Sequence, residues 1–183
     1  AAAGHEVTVF NRTVAKAEAW VAQHSGSFAT TPGAAADGAD FVFCCVGDDP
    51  DVLSVALGDD GAIPSMKSGA VFIDNSTVSA DVAGQLYDVG KASGVQTLDE
   101  PVSGGQAGAE NGKLTVMVGG EAAAFTVALP LMECYGARGV HMGAAGKGQQ
   151  AKMANQICIA GLVQALSEGL NFAMNVGLDT DKL

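Results

Sequence analysis

The sequence predicts an α/β fold with a mainly parallel sheet. Three observations carry that expectation. Short apolar runs bounded by turn residues alternate with longer stretches that read as helices. The runs Phe41-Val42-Phe43-Cys44-Cys45-Val46 and Ala70-Val71-Phe72-Ile73 lack polar alternation, as strands covered on both faces require. The composition is rich in Ala, Gly and Val and only 5% aromatic, which suits close contacts between helix and sheet. With 183 residues the chain can build one good core and part of a second.

Taken in order, Ala1–Glu6 reads as the last turn of a helix with a Gly stop at Gly4. Val7-Thr8-Val9-Phe10 is a short buried strand. Asn11-Arg12-Thr13 ends it, with Thr13 as the expected cap of a helix from Val14 to about His24. Ser27-Phe28-Ala29 is a short strand, and Pro32 opens a short helix. The strand through Phe41 stops at Gly47, and Asp48-Asp49-Pro50 caps a helix to about Leu57. The strand ending at Asp74 is followed by Asn75-Ser76-Thr77 and a helix from about Ser79 to Ser93. Val95–Asp99 is a strand, and Glu100-Pro101-Val102-Ser103-Gly104-Gly105 a loop. Leu114–Val118 is a strand between Asn111-Gly112 and Gly119-Gly120, and Glu121–Cys134 is helical. Gly139-Val140-His141-Met142 leads into the last segment.

That segment holds the candidate chemistry. In Gly143–Gln156 the glycines at 143, 146 and 148 disfavour helix, and a long helix follows from Gln149. Glycines before a helix let a ligand approach its N-terminus, where free N–H groups favour anions. Lys152 and Asn155 lie three residues apart on one face beside that end. Most helix lysines are simply solvated. Here the next turns, Ile157–Val163, are apolar all round, and Ala165, Leu166, Leu170, Phe172 and Ala173 continue the pattern. Such a helix is expected to be buried at the centre of the protein. Taken from Gln149 to Val176 it is about 40 Å long, more than one small domain requires, so in this chain it is expected to be partly exposed, its apolar surface left for a further domain or a partner chain. Gln164, Ser167, Glu168 and Asn171 argue against a membrane span.

In parallel α/β sheets ligands bind at the carboxyl ends of the strands. Four polar clusters are expected there: Asn11-Arg12-Thr13, Gly47-Asp48-Asp49, Asn75-Ser76-Thr77 and Ser103-Gly104-Gly105. A net charge of −11 argues against nucleic acid and anionic membrane surfaces as partners. The four cysteines show no C-x-x-C spacing and read as buried free thiols of a reducing cytoplasm. The scattered histidines suggest no metal site, and no signal peptide pattern is seen.

Asp74-Asn75-Ser76-Thr77-Val78, Glu100-Pro101-Val102-Ser103-Gly104-Gly105 and Gly146-x-Gly148-x-x-x-Lys152-x-x-Asn155 together resemble the three signatures of the β-hydroxyacid dehydrogenases. That family includes 3-hydroxyisobutyrate dehydrogenase and tartronate semialdehyde reductase, with 6-phosphogluconate dehydrogenase more distant. The resemblance implies a Rossmann domain over residues 1–145, then an interdomain helix that begins an all-helical second domain in residues 146–183. It implies cofactor contacts at Asn11, Arg12, Thr13, Val46, Gly47 and Thr77, and substrate contacts at Ser103, Gly104 and Gly105. It makes Lys152 the catalytic residue, and Asn155 or Gln156 the substrate-binding amide. The implied reaction passes a hydride between NADP or NAD and a short anionic β-hydroxyacid or semialdehyde, in a homodimer or homotetramer. No Gly-x-Gly-x-x-Gly precedes Val7. The chain is therefore expected to be a fragment that lacks the first strand, its Gly-rich turn and most of the helical domain.

Asn11 stands where NAD-binding domains usually carry an acidic residue for the ribose, and Arg12 is suited to a 2′-phosphate. NADP is therefore the expected preference. The competing reading is a non-catalytic dinucleotide-binding or protein-interaction module, which has no need of Lys152 or Ser103.

Overall fold

The computed structural model describes all 183 residues. Its first part is a small parallel pair, β1 (Thr8–Val9) and β2 (Ser27–Phe28), joined by helix α1 (Val14–Gln23). Helix α2 (Pro32–Ala36) then leads to β3 (Phe41–Cys44). Helices α3 (Asp49–Leu57) and α4 (Ala62–Ser65) precede β4 (Val71–Asp74), and α5 (Ala80–Ser93) precedes β5 (Gln96–Asp99). Next come β6 (Val102–Ser103), α6 (Gly105–Glu110), β7 (Leu114–Gly120), α7 (Ala122–Met132) and β8 (Gly136–Gly143). Helix α8 (Lys147–Asn175) and a 3₁₀ turn at Thr180–Lys182 close the chain.

The main sheet has six strands in the order β3-β4-β5-β7-β6, with β8 also paired to β7. Its β3-β4-β5 half is parallel. Strand β7 runs antiparallel to β5 and β6, and β8 parallel to β7. The β1-β2 pair forms a separate sheet rather than extending this one. The expected mainly parallel architecture holds, with two antiparallel pairings inside it.

Strand pleating divides the core. Phe72 of β4 points to one face, where it joins Val52, Ala56, Ile63, Val82 and Leu86 of α3, α4 and α5. Its neighbours Val71 and Ile73 point to the other, with Leu98, Val116, Val118 and the α7 residues Ala124, Ala128 and Met132. The helices start where local chemistry dictates. Asp48 Oδ1 accepts from Asp51 N at 3.1 Å at the head of α3, and Ser79 Oγ from Val82 N at 3.2 Å at the head of α5. Helix α5 stops at Gly94, in the left-handed region at φ 75°.

Several expectations are corrected. Thr13 stands at the N-cap of α1 as expected, but its side chain makes no capping bond; the Asn11 side chain accepts from Thr13 N at 2.8 Å, closing a turn. The segment 100–105 is not all loop, because Val102–Ser103 pairs with β7 and Gly105 opens α6. The lead-in at 139–142 is part of an eight-residue strand, whose pattern is hidden by its glycines and exposed polar residues. Only Cys44 is buried; Cys45, Cys134 and Cys158 are exposed free thiols.

Helix α8 is long, unbroken and partly exposed, as expected, but the expected central burial is corrected. It begins at Lys147 and runs unbroken for 29 residues, about 43 Å. By length and composition alone it could cross a membrane. It is not buried at the centre: only Gly148, Gln149, Lys152 and Ala173 are buried along it. Ile157, Leu162, Leu166 and Phe172 are between 59% and 74% exposed. The first turns dock on the sheet, and the apolar remainder lies open along the chain's surface.

Candidate active site

The site is assembled where α8 lands on the carboxyl ends of β5 and β4. Asp99, the last residue of β5, accepts two backbone bonds from the helix head. Gly146 N reaches its Oδ1 at 2.8 Å and Gln149 N its Oδ2 at 2.9 Å. The helix N-terminus is thus capped in trans by a side chain of the sheet. Sequence reasoning reserved that end for an external anion; the structure fills it with the protein's own carboxylate. The glycines serve packing instead. A Cβ at Gly148 would stand 2.5 Å from Asp99 O and 2.6 Å from Met117 O, so only glycine lets the helix lie this close.

One residue on, the buried Gln149 side chain bridges to the loop after β4. Its Nε2 donates to Ser76 O at 2.7 Å, and its Oε1 accepts from Val78 N at 3.2 Å. Less than one turn further, Lys152 is also buried, and its Nζ donates to Val102 O at 2.8 Å. Lys147 is exposed and its Nζ bonds the neighbouring Gln150 Oε1 at 2.9 Å.

Lys152 faces a cleft of about 500 Å³. Ser103, Gly104, Gly105, Asn155 and Gln156 all line it, so every substrate residue expected from sequence comes together around the lysine. Val102, Ala109, Leu114 and Ile159 supply apolar wall, and Gln106 a further polar group. Asn155 Nδ2 donates to Gln156 Oε1 at 3.2 Å, so both motif amides reach the cleft as a pair. Gly104, at φ 139°, turns the chain from β6 into α6, a conformation that disfavours any side chain.

The expected cofactor residues form a second group. Asn11, Arg12 and Thr13 follow β1, Val46 and Gly47 follow β3, and Thr77 follows β4, each past the carboxyl end of its strand. Asn11, Arg12, Thr13, Gly47 and Thr77 are exposed. Arg12 is not simply solvated: its guanidinium pairs with Asp51 Oδ1 at 3.1 Å, tying the β1 loop to the first turn of α3. Val46 N donates to Ser76 Oγ at 2.9 Å, joining the β3 and β4 loops. The exposed Arg12 guanidinium, beside the small β1-β2 sheet, and the exposed Thr77 hydroxyl, after β4 of the main sheet, are donors of the kind that bind phosphate.

Sequence reasoning missed three buried acids beneath these loops. Asp74 Oδ1 accepts from Ser76 N at 2.9 Å while Oδ2 is buried without a partner. Burial pushes this carboxyl up to about 6, partly offset by Ser76 and reinforced by Asp99. Burial also raises Asp99, against the pull of the helix N–H groups. Glu100 is fully buried and pushed up to about 7 by burial. Its Oε1 accepts from Tyr135 Oη and, at 3.1 Å, from Asn75 Nδ2, and its Oε2 has no partner. The signal was present as acidic residues closing two strands, Asp74 after Val71-Phe72-Ile73 and Asp99-Glu100 after Leu98.

A largely parallel sheet with polar loops at its carboxyl edge, joined by one helix to a lysine cleft, defines a nucleotide-binding α/β domain with an adjoining site. The family follows from comparison. Residues 1–143 match the family described as the NAD binding domain of 6-phosphogluconate dehydrogenase, and the chain belongs to it. Among its relatives is an uncharacterized oxidoreductase of Shewanella frigidimarina, 52% identical over 96% of this chain and 60% of that protein. A probable 3-hydroxyisobutyrate dehydrogenase-like 2, mitochondrial, of Arabidopsis thaliana is 38% identical over 99% of this chain and 60% of its own length. The solved structure of Mycobacterium tuberculosis 3-hydroxyisobutyrate dehydrogenase with L-serine superposes with a TM-score of 0.89 at 31% identity. That match covers 98% of this chain and 60% of the other. The chain thus spans about three fifths of the length of the relatives it matches.

Proposed function

We propose that the protein containing this chain is a nicotinamide-dependent oxidoreductase acting on a short β-hydroxyacid or the matching semialdehyde, in the manner of 3-hydroxyisobutyrate or tartronate semialdehyde. The observation that carries this reading is the buried Lys152 ammonium at the floor of the cleft lined by Ser103, Gly104, Gly105, Asn155 and Gln156. The nicotinamide, when bound, accepts or returns the hydride of the substrate's hydroxyl-bearing carbon. Asn11, Arg12, Thr13, Val46, Gly47 and Thr77 hold it. Arg12 favours NADP by meeting a 2′-phosphate, exchanging its exposed bond to Asp51 for one to the cofactor.

Lys152 moves the proton. Oxidation of the hydroxyl needs a base at its oxygen, and reduction of the carbonyl needs the same proton back. A lysine on a helix locked to the sheet is held in place for that transfer. Its ammonium already points at Val102 O, at the rim of the substrate loop. Ser103 and the N–H groups at Gly104 and Gly105 receive the carboxylate, and the Asn155–Gln156 pair orients the hydroxyl. Residues 1–145 form the cofactor domain, and residues 146–183 lead into a second one. The open apolar length of α8 is the surface that this domain and a second subunit cover, in a dimer or tetramer. Free thiols suit a reducing compartment, and we assign the cytoplasm; the Arabidopsis relative is named as mitochondrial.

The test is a panel of short hydroxyacids and semialdehydes on the complete protein with each nicotinamide cofactor. Lys152→Ala should lower kcat by about 10² to 10⁴, the range for loss of a general acid/base, with cofactor affinity unchanged. Lys147→Ala should be neutral. Near-normal turnover by Lys152→Ala would sink the assignment.

A further inference from the structure

We infer that Gln149 is a positioning residue that sets the cofactor loop against the lysine helix, an inference that rests on the function proposed above. Its amide lies between the two halves of the site. On one side it pairs with Ser76 O and Val78 N, the residues on either side of Thr77. On the other its own backbone N–H is held by Asp99 Oδ2 at 2.9 Å. Lys152 follows three residues later on the same helix face. A single side chain therefore measures the distance from the cofactor loop to the proton-transfer group.

The chemistry of the amide explains why glutamine is suited to this place. The loop offers one acceptor and one donor, two residues apart, and an amide supplies one of each. Gln149 is 0% exposed, so no water can replace either bond if the side chain is lost. The substrate side is held separately, through Lys152 Nζ and Val102 O. Loss of the amide should accordingly loosen the cofactor side and leave the substrate side in place.

That asymmetry makes the role testable in the complete protein. Gln149→Leu should raise the KM for the nicotinamide cofactor roughly tenfold and lower kcat by a similar factor, as expected when reacting groups lose their relative placement. The substrate KM should stay within about twofold of wild type. Cofactor affinity, read without turnover from nicotinamide fluorescence, should weaken in step. Amide hydrogen exchange at Val78 should speed up while β4 and β5 keep their protection.

Gln149→Glu provides a second, conservative variant. Protonated, the introduced carboxyl donates to Ser76 O and accepts from Val78 N as the amide does; ionised, it has no proton to donate. Its kcat/KM relative to wild type should therefore fall as pH rises. Asp74, which bonds Ser76 N, Asp99, which bonds Gln149 N, Asp49, which bonds Ser79 N, the buried Cys44 thiol beside Ser76 and Asp74, and Lys152 are the ionisable groups around this position. All of these are present in wild type, so the ratio isolates the new group. A role confined to stability would lower the melting temperature and leave both the KM split and the pH ratio flat. Folded Gln149→Leu with wild-type cofactor affinity, or a Gln149→Glu pH profile that tracks wild type, would overturn the inference. If instead Lys152→Ala kept full turnover, the proposed function would fall while the fluorescence and exchange measurements still decided the role of Gln149.

Discussion

Glu100→Gln should flatten the dependence of stability on pH. Glu100 has no solvent exposure, and one of its oxygens is buried without a partner. Burial raises its carboxyl from 4.5 to about 7, despite the bonds from Tyr135 and Asn75. The folded state therefore binds this proton more tightly than the unfolded chain does. For such a group, the stabilisation is fully present below the unfolded value of 4.5 and is lost as pH rises through about 7. The interval corresponds to about 3 kcal/mol, taking each tenfold change in proton affinity as about 1.4 kcal/mol. Glutamine cannot ionise and keeps an oxygen for Tyr135 and Asn75. Its NH₂ takes the place of the unpartnered oxygen, a loss of about 1–3 kcal/mol that does not vary with pH. Urea unfolding followed by circular dichroism at about pH 5 and about pH 8 checks this. Wild type should lose stability between the two; the variant should lose about 2.5 kcal/mol less, because part of the interval already lies below pH 5. Asp74, raised to about 6, keeps a residual slope of the same sign in both proteins. An equal loss in both would show that Glu100 is ionised in the folded protein at no cost, and the argument from burial would fail.

Two further substitutions probe the helix seat and the cofactor edge. Gly148→Ala places a methyl group against two backbone carbonyls, so the head of α8 must lift from β5 and β7. Stability should fall by about 1–3 kcal/mol and kcat should drop with it, because Lys152 rides on the same helix; unchanged melting temperature and kcat would refute the close-packing account. Arg12→Ala should raise the KM for NADPH on the order of tenfold while leaving NADH nearly unaffected, because the 2′-phosphate loses its charged partner. Comparison of kcat/KM for both cofactors in both proteins checks it, and an equal loss for both would show that Arg12 serves only its bond to Asp51.

Much of the fold was legible because its signals are local. Apolar runs ending in Gly or an acidic residue mark β3 and β4, and Asp48 and Ser79 mark the helix starts through bonds made within three residues. The lysine cleft was legible for a related reason. Lys152, Asn155 and Gln156 share a helix, and Ser103, Gly104 and Gly105 share a loop, so spacing already groups them. What the order of residues could not disclose is which polar groups meet across the sheet. Asp99 seats the head of α8 from 47 residues away, and Gln149 bonds a loop 73 residues distant. Burial makes those bonds matter, and burial belongs to the assembled fold. The same physics misled the reading of Cys45, Cys134 and Cys158 as buried and of α8 as central, although the partly exposed apolar length of α8 was legible. Apolar sequence says that a surface must be covered; only the tertiary structure says whether this chain covers it, and along most of α8 it does not.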